Sequence, residues 1–211
     1  VAADGKEEKS GCMKDRPPAS FVCFEGIDGC GKSTLLDRLS AWLEEAGIRH
    51  IKTREPGGTR LGEVLRAILL DSSFQGMDPW TEILLYAASR AQHVKEVIRP
   101  ALERGVWVLS DRFADATLAY QGYGRGLNLG RLHQIHEWTT QGLWPDLTVL
   151  LDCGVATASL RRQSRGNELD RVELQNAAFH ERVRAGYLEL AAAAPQRFIV
   201  LDAERTLVEV E

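Results

Sequence analysis

Short apolar runs alternate with stretches of helical spacing along most of the chain. Residues 21–25 (Phe-Val-Cys-Phe-Glu) form a continuous apolar run and predict a first strand. Leu35, Leu36, Leu39 and Leu43 recur at helical intervals over 32–46, and Gly47 supplies a stop. A weaker strand is predicted over 48–53 and a helix over 61–70. Pro79 opens a long helical pattern through Ile83, Leu84, Ala87, Ala91, Val94 and Ile98, with a kink expected at Pro100. Strands follow at 106–110, 147–152 and 198–202. Gly122, Gly124 and Gly126 predict a mobile loop, followed by a helix to about Thr140. A helix after the 147–152 strand leads into a polar stretch over 163–170, and residues 171–194 read as one helix. A last helix is expected from Glu204 onward.

About five strand–helix alternations predict an α/β fold, a parallel sheet with helices on both faces. Ligands bind such sheets beyond the carboxyl ends of the strands, so chemistry is expected in the residues that follow each strand. No internal repeat or low-complexity segment interrupts the pattern.

Composition narrows the function classes. The 211 residues suit one domain, and 44% apolar with 27% charged is an ordinary globular balance. The polar segment 1–20, ending in Pro17-Pro18 and two small residues, predicts a disordered or appended tail, leaving 21–211 as the domain. A net charge of −4 argues against a nucleic-acid polymer or membrane surface as partner. No stretch approaches the roughly 18 apolar residues of a membrane helix. Cys12, Cys23, Cys30 and Cys153 lie far apart, which predicts free thiols and a cytoplasmic protein, without a disulfide framework or zinc site. Arginines number 20 against 6 lysines, chiefly a compositional bias, although Arg suits two-pronged contacts to phosphate.

Directly after the first strand comes Gly26-Ile27-Asp28-Gly29-Cys30-Gly31-Lys32-Ser33, the GxxxxGK[ST] phosphate loop. Its glycines let backbone N–H groups wrap around phosphates, and the helix beginning near Lys32 aims its positive dipole end at the same anion. Lys32 can reach the β and γ phosphates, and the Ser33 hydroxyl can bind Mg²⁺. The pattern signals nucleoside triphosphate binding without naming an acceptor. Asp28 inside the loop needs a metal, base or hydroxyl partner, or else stabilises a turn. At the end of the third strand, Asp111 is placed to hold Mg²⁺, and Arg112 to face a second phosphate; a helix cap and a surface ion pair are the structural alternatives. Tyr86 and Arg90 share a helix face able to take a base and a phosphate or base edge, with a core ring and a surface cation as the plainer reading. Arg161, Arg162 and Arg165 in the polar stretch around 161–171 predict a closing lid that carries transition-state charge.

Together these segments resemble thymidylate kinases, P-loop nucleoside-monophosphate kinases. The resemblance rests on Phe24-Glu25-Gly26 through Ser33-Thr34, on Thr53-Arg54-Glu55-Pro56-Gly57-Gly58-Thr59 and on Leu85 to Arg90. It continues through Ser110-Asp111-Arg112-Phe113, Ala119-Tyr120-Gln121-Gly122-Tyr123-Gly124-Arg125-Gly126, Pro145 to Thr148 and Leu169-Asp170-Arg171-Val172-Glu173, in the family's order over about 21–202. It implies a five-stranded parallel sheet flanked by helices, with ATP held by Gly26, Ile27, Asp28, Gly29, Cys30, Gly31, Lys32, Ser33 and Thr34 and by Arg161 and Arg162. It implies dTMP as acceptor, contacted by Glu55, Arg66, Tyr86, Arg90, Arg112, Thr117, Tyr120 and Gln121, and catalysis by Lys32, Asp28, Arg112 and a lid Arg. Gly29 stands where one subtype carries an Arg, so the chain is similar to the bacterial type; Arg165 is the first choice for the lid cation, with Arg161 and Arg162 as alternatives. A homodimer is implied. Cys30 stands where a smaller residue is common, and Phe113 lacks a phenol hydroxyl found in relatives. A kinase of another small acceptor and a non-catalytic nucleotide switch are the competing readings.

Overall fold

The computed structural model describes residues 19–164, 166 and 169–205. Five strands, β1 (Phe21–Glu25), β2 (His50–Arg54), β3 (Trp107–Asp111), β4 (Leu147–Asp152) and β5 (Phe198–Asp202), form one parallel sheet in the order β2-β3-β1-β4-β5. The central strand β1 is buried at every position, which is why it reads as an uninterrupted apolar run. Its register places Phe24 beside Asp111 of β3 and Val149 of β4, so the carboxyl ends of three strands open at one edge.

The helices are α1 (Lys32–Glu45), α2 (Arg60–Leu70), α3 (Pro79–His93), α4 (Arg99–Glu103), α5 (Ala114–Thr117), α6 (Leu129–Thr140), α7 (Val155–Gln163) and α8 (Ala177–Ala193). The main apolar core lies between the sheet, α1 and α8, around Phe24, Leu36, Leu43, Leu150, Phe179, Val183 and Tyr187. A second cluster behind the sheet joins Phe21, Val94, Ile98, Val108 and Phe113. Thr59 and Asp78 cap α2 and α3 with their side chains, and Pro79 occupies the first turn of α3.

Three expectations are corrected. The glycine-rich segment is not a loop: Leu118–Gly124 continues α5 as π-helical turns. A Cβ on Gly122 would lie 2.4 Å from Leu129 Cδ2, and one on Gly124 2.8 Å from Phe179 Cε2, so these glycines serve close packing. The helix expected from 171 begins at Ala177, where Asn176 accepts from Phe179 N at 2.9 Å. The preceding residues form a turn in which Asp170 Oδ1 accepts from Val172 N and Glu173 N at 2.8 and 2.9 Å. Third, α7 carries Arg161 and Arg162 on its last turn, so they are helical and only the residues beyond are candidates for a lid. Where a kink is expected at Pro100, the helix passes through a π-helical segment, Val94–Ile98, and Pro100 lies in the first turn of α4. The strands expected at 48–53 and 106–110 are shifted toward the ligand edge, which makes Arg54 and Asp111 their terminal residues. The tail through residue 18, and the end of the chain from 206, lie outside the described residues, as does Arg165.

Candidate active site

The phosphate loop connects β1 to α1. Gly29 has φ 94°, and a Cβ there would sit 2.3 Å from the Ala158 carbonyl oxygen. Helix α7 therefore lies directly against the loop, and this close approach leaves no room at position 29 for the arginine of the other subtype. Lys32 is buried, with Nζ donating to the carbonyls of Gly26 and Ile27, both at 3.1 Å. Cys30 is buried under the loop, 3.8 Å from Lys32 Nζ, so the thiol is accommodated. Ser33 Oγ donates to Asp111 Oδ2 at 3.0 Å, which brings together the loop hydroxyl and the β3-terminal carboxylate. Lys32, Ser33 and Asp111 line a polar cleft.

A second cavity opens beside it; Tyr86, Arg90, Thr117, Tyr120 and Gln121 are among its walls. Arg90 is held from three sides: Nε donates to Glu55 Oε2 at 2.7 Å, and Nη2 to Thr117 Oγ1 at 2.8 Å and Phe113 O at 3.2 Å. The other oxygen of Glu55 meets His93 Nδ1 at 2.9 Å. Both carboxylate oxygens of Glu55 are thus engaged, and its role at this wall is to hold Arg90 in place. Arg66 Nη1 is anchored on the Pro56 carbonyl at 2.9 Å.

Asp28, Glu55, Arg66 and Arg112 line both cavities, so the two meet at these residues. Arg112 follows β3 with φ 74°, in the left-handed region that non-glycine residues seldom occupy. Its amide donates to Phe24 O at 3.0 Å and its carbonyl accepts from Ser110 Oγ at 2.7 Å, which stabilises the strained turn. The guanidinium donates through Nη2 to Asp28 Oδ1 at 2.7 Å and Tyr120 OH at 3.0 Å, and through Nη1 to Tyr187 OH at 2.9 Å. Burial acts to raise the Asp28 carboxyl, but the charges of Arg112 and Lys32 and hydrogen bonds from Arg112 and Tyr120 hold it well below the usual carboxylate range. Asp28 is therefore an anion at neutral pH, matched to the cation beside it.

Behind Arg112 lies Glu25. Its Oε2 accepts from Tyr187 OH at 2.6 Å and its Oε1 from Phe113 N at 2.7 Å. Burial pushes the carboxyl up from 4.5 to about 7, against the opposing pull of Arg112, Tyr187 and the Phe113 amide. Between these two values the native state holds a proton that the unfolded chain has released, so this group's contribution to stability falls as pH rises from 4.5 to 7. Glu25→Gln is expected to flatten the pH dependence of Tm across that window. Thermal melts of both proteins at stepped pH check this, and equal slopes would contradict it.

The structure brings most of the predicted residues to these two cavities. Tyr86 and Arg90 face one cavity from α3, which favours a binding role over the core-ring alternative. Asp111 meets Ser33 and does not cap a helix. Gly26, Ile27 and Cys30 form the loop's backbone and underside, whereas Thr34 is exposed on α1 and lines neither cavity. Arg161 is not brought to the loop: its Nη1 donates to Ala203 O at 2.9 Å, beside the end of β5. Arg162 is buried against the loop, where a Cβ on Gly29 would be 3.1 Å from its Cγ, and its Nη1 has no hydrogen-bond partner among the described residues. Sequence reasoning assigned no role to Glu25 or Tyr187, which back Arg112, or to His93, which holds the Glu55 that grips Arg90. A lone Glu ending a buried apolar strand was the available signal for the first.

The family model described as "Thymidylate kinase" matches residues 24–211. The thymidylate kinase of Deinococcus radiodurans is 54% identical over 191 residues, covering 90% of this chain and 92% of that protein. That of Nitratidesulfovibrio vulgaris is 52% identical over 196 residues, covering 90% and 91%. The crystal structure of thymidylate kinase from Ehrlichia chaffeensis superposes with a TM-score of 0.72 at 34% identity, covering 88% of this chain and 93% of the other. A phosphate loop and a second, arginine-lined cavity meeting at Arg112, in a chain half identical to these enzymes over most of its length, leave one assignment: the chain belongs to the thymidylate kinase family.

Proposed function

We propose that residues 21–211 form a kinase domain that transfers the γ-phosphoryl group of ATP to dTMP, giving ADP and dTDP. The observation that carries this reading is the junction of the two cavities at Asp28, Glu55, Arg66 and Arg112. In this reading a triphosphate on the loop lies end to end with an acceptor monophosphate in the second cavity. The acceptor phosphate oxygen attacks the γ-phosphorus, so no protein nucleophile is required and catalysis is positioning plus charge stabilisation. Lys32, now bridging loop carbonyls, is placed to turn its ammonium to the β and γ phosphates. Arg112 and Arg66 hold the acceptor phosphate. Asp28 fixes the Arg112 fork and stands beside the acceptor's sugar, while Tyr86 stacks on the base and Arg90 reads its edge, with Thr117, Tyr120 and Gln121 completing the wall. Arg90 and Arg112 together favour a phosphorylated acceptor over a free nucleoside.

Ser33 and Asp111 offer two hard oxygen donors 3.0 Å apart at the phosphate cleft. That pair suits Mg²⁺: Ser33 and Asp111 would hold the ion, and it would supply positive charge to offset that on the transferring group. The described residues contain no group of three or more acidic, His or Cys side chains able to hold a metal on their own, so the ion would arrive with the nucleotide.

The segment that follows α7 (Val155–Gln163) is the proposed lid and would supply the remaining positive charge. Arg165 is the proposed cation, and Arg162, buried against the loop at the end of α7 with no partner for Nη1 among the described residues, is its competitor. Arg165→Ala is expected to lower kcat by roughly 10²–10³-fold, the cost of losing one donor to developing charge, while KM for dTMP changes little. Steady-state kinetics of Arg165→Ala and Arg162→Ala decide between them: unchanged kcat in the first with a large loss in the second moves the role to Arg162.

We further propose a homodimer. Leu61, Val64 and Ile68 share one exposed face of α2, and Leu84 is exposed on the adjoining α3. A contiguous apolar face of this kind suits a self-complementary interface. No helix among the described residues is long and apolar enough to cross a membrane, and Cys23, Cys30 and Cys153 are free thiols; both support a cytoplasmic location. A coupled assay of ATP consumption across nucleoside monophosphates tests the acceptor: dTMP-dependent turnover supports this reading, preference for another acceptor replaces the substrate, and binding without turnover rejects the enzyme.

A further inference from the structure

We infer that Glu82, a residue that does not line the acceptor cavity, sets that cavity's base preference by fixing the orientation of the Gln121 amide. The inference rests on the reading of the second cavity as the site of a pyrimidine monophosphate.

Glu82 lies one turn before Tyr86 on α3 and is completely buried. Arg125 grips it in a fork, Nε to Oε1 and Nη2 to Oε2, both at 2.9 Å. Arg171 adds Nη1 at 2.6 Å from Oε2. The carboxylate can therefore neither rotate nor leave. Burial works to raise its pKa, but hydrogen bonds from Arg125 and Gln121 outweigh that and keep it ionised. An ionised carboxylate only accepts hydrogen bonds.

Gln121 Nε2 donates to Glu82 Oε1 at 2.7 Å. The side chain is buried except where it lines the cavity, alongside Tyr86 and Arg90. A primary amide has two unlike ends, and which end faces the ligand is ordinarily free to exchange. Here the exchange is closed off, because turning the amide would set its carbonyl oxygen against a fixed anion. The NH₂ end is committed to Glu82, and the carbonyl oxygen, for which the described residues provide no hydrogen-bond partner, is the end left for the cavity. An acceptor at that place suits a ring N–H. Thymine and uracil carry a hydrogen on N3, whereas N3 of cytosine is itself an acceptor. A buried acceptor facing an acceptor rejects the wrong base far more strongly than a missing methyl group does. Glu82 is thus a positioning residue for specificity, acting through Gln121 without touching the substrate.

Glu82→Gln tests this. Gln at 82 can donate as well as accept, so Gln121 can turn and offer its NH₂ to N3 of cytosine. Expected is a fall of at least tenfold in the ratio of kcat/KM for dTMP to that for dCMP, with the dCMP value rising. Glu82→Asp, which keeps an acceptor-only carboxylate, is expected to retain the wild-type ratio even where both absolute values drop. A purely structural role would lower both substrates in parallel and leave the ratio alone, and that result overturns the inference. Should Glu82→Gln fail to give a cooperative melt, Gln121→Leu takes its place: collapse of the ratio supports base reading through this amide, and an unchanged ratio overturns it. Wild-type enzyme inactive on dTMP would instead reject the assignment of the cavity, independently of these variants.

Discussion

Lys32→Ala is expected to lower kcat for dTMP phosphorylation by about 10²–10³-fold, the range seen when one donor to developing charge is removed in a water-poor site, while the fold survives. The expectation follows from where Nζ sits. It is buried in the loop and bonded to two backbone carbonyls, Gly26 and Ile27, with Asp28 Oδ1 at 4.0 Å. These are weak, exchangeable partners, so an arriving triphosphate can draw the ammonium away at small cost. Removing it takes one donor from two buried loop carbonyls, a loss of about 1–3 kcal/mol for the two hydrogen bonds, which lowers Tm without preventing folding. Far-ultraviolet circular dichroism and a melt separate the two effects. A variant with near-normal turnover would remove the phosphate loop from the chemistry.

Arg112→Ala is expected to damage both activity and stability. The guanidinium joins Asp28, Tyr120 and Tyr187 and stands 3.8 Å from Glu25. Deleting it leaves Asp28, an anion held down chiefly by this neighbour, without its main counter-charge. Breaking such a mostly buried pair costs about 3 kcal/mol or more, which at roughly 2–4 °C per kcal/mol for a chain of this size gives a fall in Tm of roughly 6–12 °C. Loss of the acceptor-phosphate contact adds a fall in kcat/KM for dTMP of about 10²–10³-fold, with KM for ATP much less affected. Arg112→Lys recovers part of the stability but not the fork that engages phosphate and Asp28 at once. Kinetics and melts on both variants check this; an alanine variant with unchanged Tm would show that the Asp28 pair is not stabilising.

Signals that are local in the chain were legible before the structure. Buried parallel strands carry continuous apolar runs, so β1 and β4 are legible at 21–25 and 147–152, and β5, an edge strand with Ile199 and Val200 exposed, is legible at 198–202 from its apolar run alone. The phosphate loop was legible because its glycines and lysine must be contiguous, and Asp111 and Arg112 because they end a strand at the ligand edge. What stayed hidden depends on distant partners. Glu25 and Tyr187 are 162 positions apart in sequence yet share a 2.6 Å hydrogen bond. Gly122 and Gly124 signal a loop locally, and only their packing against Leu129, Phe179 and Val183 shows them to be helical contact points. Glu82 on a helix next to apolar residues reads as ordinary amphipathic polarity until Arg125, Arg171 and Gln121 converge on it. Residues 171–176 contain no Gly or Pro to break a helix, so the turn made by Asp170 and the cap at Asn176 went unread.

The measurement that most directly tests phosphoryl transfer across the cavity junction uses ATP labelled on its γ-phosphorus, incubated with the protein, Mg²⁺ and dTMP, with products separated by chromatography. The predicted result is label in dTDP in a one-to-one ratio with ADP formed, at a rate about 10²–10³-fold lower in Lys32→Ala and Arg112→Ala. Label appearing in inorganic phosphate at a rate independent of dTMP, or in no product at all, would contradict it.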